Sequence, residues 1–115
     1  PSAVQTQATY VWTVKARRYS IAQDAILYFE SRSKKTFLVT AAQEYELSAS
    51  LDALEEQLGS RFVRTHRSYL VNLEDVHNVE IGSTGLMELR LDRVTSTVPV
   101  SRRRAAEVKA HLGLA

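Results

Sequence analysis

The chain has 115 residues, 44% of them hydrophobic, which suits one domain with its own core. It has no cysteine, which excludes disulfides and thiolate metal sites, and no run long and apolar enough to span a bilayer. Net charge is only +2, but it is unevenly spread: six basic and seven acidic residues up to Gly59, then nine basic and six acidic from Ser60 on.

Residues 1–8 (PSAVQTQA) are small and polar without periodicity, so a linker or tail is expected there, with the domain occupying 9–115. The chain opens on Pro1 with no secretory signal pattern, so a cytoplasmic piece of a longer protein is expected. Alternation of Trp12, Val14 and Ala16 with Thr13 and Lys15 predicts a half-buried strand over 10–16. Arg17-Arg18 reads as a turn and Tyr19-Ser20-Ile21 as a short strand. The apolar run Ile26-Leu27-Tyr28-Phe29 predicts a buried strand, and the polar, basic stretch 31–35 a connecting loop. Strands follow at 36–40, rich in β-branched and aromatic residues, and around Tyr45, Leu47 and Ala49.

The period then changes. Leu51, Leu54 and Leu58 share one helical face, Ser50 is placed to cap it, Asp52 favours its positive end and Gly59 can terminate it. Val76 to Ile81 and Met87 to Leu91 read as strands around a glycine-bearing turn, and 94–100 as the strand after an Asp92-Arg93 turn. Pro99 cannot donate to a ladder, so that last strand belongs at an edge. Ser101 is a candidate cap for a closing helix with Ala105, Val108 and Leu112 inward and Gly113 as terminator. Arg102-Arg103-Arg104 in its first turn oppose the helix dipole, a local conflict that suits an anion site or, more simply, solvation and pairing with Glu107.

Residues 61–72 (RFVRTHRSYLVN) carry most of the functional information. Phe62, Val63, Tyr69, Leu70 and Val71 can anchor in a core, with Phe62 and Tyr69 read as core, while His66-Arg67-Ser68 forms a polar tip between the anchors. Donors and positive charge without a carboxylate or thiol suit an anionic partner; a solvated turn is the plainer alternative. Eleven of the fifteen cations are arginine, which pairs bidentately with phosphate and guanine as lysine cannot, although a GC-rich genome would also enrich arginine. Catalytic signatures are absent: no GxSxG, P-loop or GxGxxG, and His66, His77 and His111 sit at no metal-ligand spacing. Neither catalysis nor a metal or cofactor is expected.

The order of these pieces is that of a known family. A Tyr28-Phe29-Glu30-Ser31 strand end, a basic loop, a strand pair, a helix closed by Gly59, the stretch 62–72, and Val98-Pro99-Val100-Ser101-Arg102-Arg103 before a closing helix together resemble the LytTR family of bacterial DNA-binding domains. The resemblance runs from about Trp12 to His111. It implies a mainly β fold with one or two helices and short antiparallel sheets, with DNA read by loops rather than a helix-turn-helix. It further implies contacts to successive major grooves, bent DNA, paired direct repeats, a homodimer on DNA, and a receiver domain on the N-terminal side.

Carried over by position, Lys35, Thr36, Arg67 and Arg103 are the candidates for base contact, Lys35 suiting phosphate as well and Thr36 being shorter than its counterpart in some relatives. Lys34, Arg64, His66, Ser68, Arg102 and Arg104 are the candidates for backbone contact, and Asn72 for shaping the loop. Two rivals use the same residues differently. A non-catalytic module could dock acidic partners, membrane headgroups or polyanions through the same loops; an RNA binder would want exposed stacking aromatics, whereas Trp12 and Phe37 alternate as core residues do.

Overall fold

The computed structural model describes residues 9–83, 85–94 and 97–113, Ser60 by its backbone alone. The expected tail at 1–8, one residue of the glycine turn and part of the 94–100 stretch lie outside the described residues.

Among the described residues the strands form three antiparallel sheets. β1 (Thr9–Val14) and β2 (Arg17–Ala22) form a hairpin. β3 (Tyr28–Arg32), β4 (Lys35–Val39), β5 (Glu44–Leu47), β6 (Phe62–His66) and β7 (Tyr69–Asn72) form a five-stranded sheet in the order β5-β4-β3-β7-β6. β8 (Val76–Ile81), β9 (Met87–Leu91) and β10 (Thr97–Val100) form a third sheet with β9 in the middle. Helix α1 (Leu51–Leu58) lies between β5 and β6, and α2 (Ala105–Leu112) closes the described chain. The two helices are separated by five strands, so no helix-turn-helix exists among the described residues.

The five-stranded sheet is the middle layer. Adjacent residues on its strands enter different cores: Phe29, Leu38, Phe62 and Leu70 pack with Tyr10, Leu51 and Leu54 beneath the β1–β2 hairpin and α1. Their neighbours Tyr28, Val39, Val63 and Val71 pack against Met87, Leu89, Leu91, Val98 and Val108 of the third sheet and α2. A strand buried on both faces has no polar side, which is why 26–29 reads as an unbroken apolar run.

Helix α1 forms as its periodicity predicts: the Ser50 hydroxyl accepts from the Ala53 N–H at 3.1 Å, and Gly59 follows at φ +73°. Pro99 falls on an edge strand, its Cα opposite Glu88. Three expectations shift. The first hairpin turns at Lys15-Ala16 rather than Arg17-Arg18, and the basic loop shrinks to Ser33-Lys34, with Arg32 and Lys35 already in the strands. All four turn residues have positive φ, the geometry that matches the twist of a two-residue hairpin. Ser101 makes no side-chain cap. Arg102–Arg104 instead form a single 3-10 turn, and the α-helix starts at Ala105, so the three arginines do not stack in its first turn.

Candidate nucleic-acid interface

Three basic segments lie side by side. The central one is the His66-Arg67-Ser68 tip joining β6 and β7. On one side Ser31 N–H donates to Ser68 O at 2.9 Å, fastening the β3–β4 hairpin with its Ser33-Lys34 turn. On the other, Ser101 N–H donates to Thr65 O at 2.8 Å, placing the Arg102–Arg104 turn against the same tip.

A β-bulge makes this arrangement possible. Arg64 and His66 pair with the consecutive residues Leu70 and Tyr69, leaving Thr65 as an extra residue in β6. Bulges re-aim the side chains beyond them. Thr65 is fully buried, its hydroxyl donating to Pro99 O at 3.1 Å. His66 is carried onto the Tyr69 side, where it lines a depression of about 490 Å³ with Arg102 and Arg103. Arg67 lines a different cleft, of about 430 Å³, with Lys34, Lys35 and Thr36. The tip thus has one charged neighbourhood on each side.

The pairing of charges separates structural cations from available ones. Arg32, Arg61, Arg64, Arg90 and Arg93 are in ion pairs, with Glu30 and Glu44, Asp24, Asp52 and Glu55, Glu80, and Asp75 respectively. Among the described residues, Lys15, Arg17, Arg18, Lys34, Arg67, Arg102, Arg103 and Lys109 make no ion pair and are exposed, and of these Lys34, Arg67, Arg102 and Arg103 lie on the three adjoining segments. Lys35 is exposed with Nζ 3.9 Å from Glu46, a contact that solvent weakens. Arg104 is half-buried, 3.9 Å from Glu107. Ser68 is half-buried at the tip.

His66 is held neutral. Its Nδ1 accepts from the Ser68 N–H at 3.1 Å, and burial, then the positive charges of Arg67 and Arg64, push its pKa down. At the tip it therefore offers Nε2–H as a donor.

Two candidates are placed otherwise than expected. Thr36 is only 8% exposed, opposite Ser31 and Leu47, and reaches the surface only where it lines the cleft with Arg67. The Arg64 side chain is 10% exposed and its guanidinium is bonded to Asp52 and Glu55 of α1 and to the tip backbone, at the wall of the cleft that Arg67 also lines. Asn72 is buried: its Nδ2 donates to Ile26 O, and its Oδ1 accepts from the Glu74 N–H. Reading the sequence missed Thr65, because a bulge leaves no periodic signal, and missed the pairing of Asp52 and Glu55 with Arg64 across separate elements.

The model of the LytTr DNA-binding domain family matches residues 16–113. The chain belongs to this family. Its LytTr fold is shared with a LytTr DNA-binding domain from Bacillus cereus at a TM-score of 0.80 and 23% identity, over 94% of this chain and 99% of the other. Among curated relatives, the transcriptional regulatory protein YpdB of Escherichia coli K12 is 33% identical over 85 residues, 73% of this chain and 35% of that protein. The positive alginate biosynthesis regulatory protein of Pseudomonas aeruginosa is 33% identical over 90 residues, 77% and 36%. The sensory transduction protein LytT of Enterococcus faecalis is 27% identical over 99 residues, 85% and 40%. This LytTr domain spans well under half the length of these relatives. Among its described residues no helix is long and apolar enough to cross a membrane.

Proposed function

We propose that this LytTr domain is the sequence-specific, double-stranded DNA-binding output module of a bacterial two-component response regulator, acting in the cytoplasm on transcription. The carrying observation is the row of three basic segments joined through Thr65 and Ser68, with Arg67, Arg102 and Arg103 exposed and without an acid partner among the described residues.

In this reading Arg67 and Arg103 supply bidentate contacts to guanine edges, each worth ~1–3 kcal/mol of discrimination. Lys34, Lys35, His66, Ser68, Arg102 and Arg104 meet phosphates and set the register. A hairpin tip and a 3-10 turn are short and blunt, so each reaches into a groove only locally. Several of them engage successive grooves on one face of the duplex when the DNA bends toward the protein, at a deformation cost the added contacts offset. Relatives named as response regulators and transcriptional regulators, each more than twice as long as this chain, support a receiver domain in the full protein. Binding as a homodimer to paired direct repeats completes the proposal.

Selection from random duplex DNA with the 115-residue chain tests it. Enrichment of one direct-repeat element is expected. Equal binding to all duplexes and to heparin would overturn it in favour of a sequence-indifferent polyanion module.

A further inference from the structure

Arg64 was expected at a phosphate, and its surroundings assign it other work. Its Nε–H donates to His66 O at 3.0 Å and its Nη2 to Arg67 O at 2.6 Å. Its Nη1 donates to Asp52 Oδ1 at 2.7 Å and Glu55 Oε1 at 3.1 Å, both on α1. One planar fork thus joins the backbone of the β6–β7 tip to a helix seated in the opposite core.

We propose that Arg64, held by Asp52 and Glu55, is a positioning residue that fixes the backbone of the His66-Arg67 tip and so sets the direction in which Arg67 meets DNA. The inference rests on the DNA-reading role given above to Arg67.

Three observations carry it. First, the acceptors are the carbonyls of the two residues at the tip itself, and a tip of this length has few other constraints: Ser68 N–H to His66 Nδ1 and Ser31 N–H to Ser68 O. Secondly, the guanidinium spends four of its five N–H groups on these bonds with its side chain 10% exposed, so no bidentate phosphate contact can form while the two carboxylates stay. Thirdly, Asp52 is 87% exposed beside the cleft that Arg67 and Lys34 line, a place where an acid repels DNA. As a charge alone it opposes binding; as an anchor for Arg64 it is useful. Its carboxyl pKa lies below the usual range, first through the hydrogen bond from Arg64.

A charge-keeping and a charge-removing variant separate the roles. Arg64→Lys retains the cation but cannot reach two carbonyls and two carboxylates together. Its specific-to-scrambled affinity ratio should fall about ten-fold, the order of one misdirected bidentate contact, with the salt slope unchanged. Asp52→Asn/Glu55→Gln removes two surface charges; binding to scrambled duplex should hold or strengthen while the ratio falls. Thermal melts confirm folding, and the double variant serves if Arg64→Lys does not fold. An unchanged ratio in the variants that fold, with affinity for both duplexes moving together, would overturn the positioning role.

An NMR readout keeps this separate from the DNA-binding reading. Backbone order parameters at Arg67 and Ser68 should fall in both variants without DNA. If the unaltered chain does not discriminate between duplexes, the function fails on its own, and rigid amides at Arg67 and Ser68 in both variants would then sink the tether.

Discussion

Asn72 and Ile26 meet 46 residues apart in sequence. Asn72 Nδ2 donates to the Ile26 carbonyl at 3.0 Å, and its backbone N–H donates to Leu27 O at 3.0 Å. With Oδ1 accepting from the Glu74 N–H, one buried amide fixes the start of β3, the end of β7 and the turn into β8. β7 is the strand leaving the Arg67 tip, so Asn72 holds the base of that tip.

Asn72→Ala should therefore destabilise the chain by ~1–3 kcal/mol, since it leaves the Ile26 carbonyl and the Glu74 N–H without their partner. Asn72→Asp should cost at least as much, because a carboxylate oxygen would face the Ile26 carbonyl. Urea unfolding of both variants measures it. DNA affinity extrapolated to the fully folded population should change little.

Arg67→Ala and Arg103→Ala should each lower affinity for a selected duplex by ~1–3 kcal/mol and lower it less for a scrambled one. Lys34→Ala should weaken both alike and reduce the salt slope by about one. Titration of labelled duplexes at several salt concentrations checks this; equal losses on both duplexes for Arg67→Ala would remove its base-reading role.

His66 should make stability depend on pH in mildly acidic solution. Its folded pKa lies below 6.5, so the unfolded chain binds the proton more readily. Stability should be full above about pH 6.5 and fall as pH drops toward the folded pKa, then level off for this group. In His66→Gln that part of the profile should be absent. Thermal melts between mildly acidic and neutral pH would detect it.

Tyr69 should act at the other end of the scale. Its hydroxyl donates to Glu30 Oε2 at 3.1 Å, and burial, then the Glu30 carboxylate, push its pKa up to about 12. The folded chain holds the proton more tightly, so stability present below pH 10 should be lost as pH rises through about 12. Tyr69→Phe should remove that alkaline loss and cost roughly 1.5–3 kcal/mol at neutral pH, the worth of a hydrogen bond to a charged acceptor. Alkaline and urea titrations of the two proteins provide the comparison.

The local code was legible where period and chemistry agree. The α1 leucines with Ser50 and Gly59, the Met87–Leu91 alternation and the proline on an edge strand all follow from rules acting within a few residues. The hairpin turns did not, because Lys15-Ala16 and Ser33-Lys34 lack glycine or asparagine and adopt positive φ only because the paired strands hold them there. The order of motifs likewise pointed to the family from sequence alone.

Which cations are available was decided in three dimensions. Arg64 and Arg67 stand three residues apart in one basic stretch, yet the first is tied down by α1 and the second is exposed. A guanidinium's partners depend on which elements pack beside it, and no local pattern encodes that. The bulge at Thr65 has the same character: one extra residue, stabilised by bonds to Pro99 and Ser101 more than thirty positions away, turns His66 to its present side. Sequence determined the chemistry on offer at the tips; the tertiary structure decided which of those groups face outward, because burial and pairing are properties of neighbours in space.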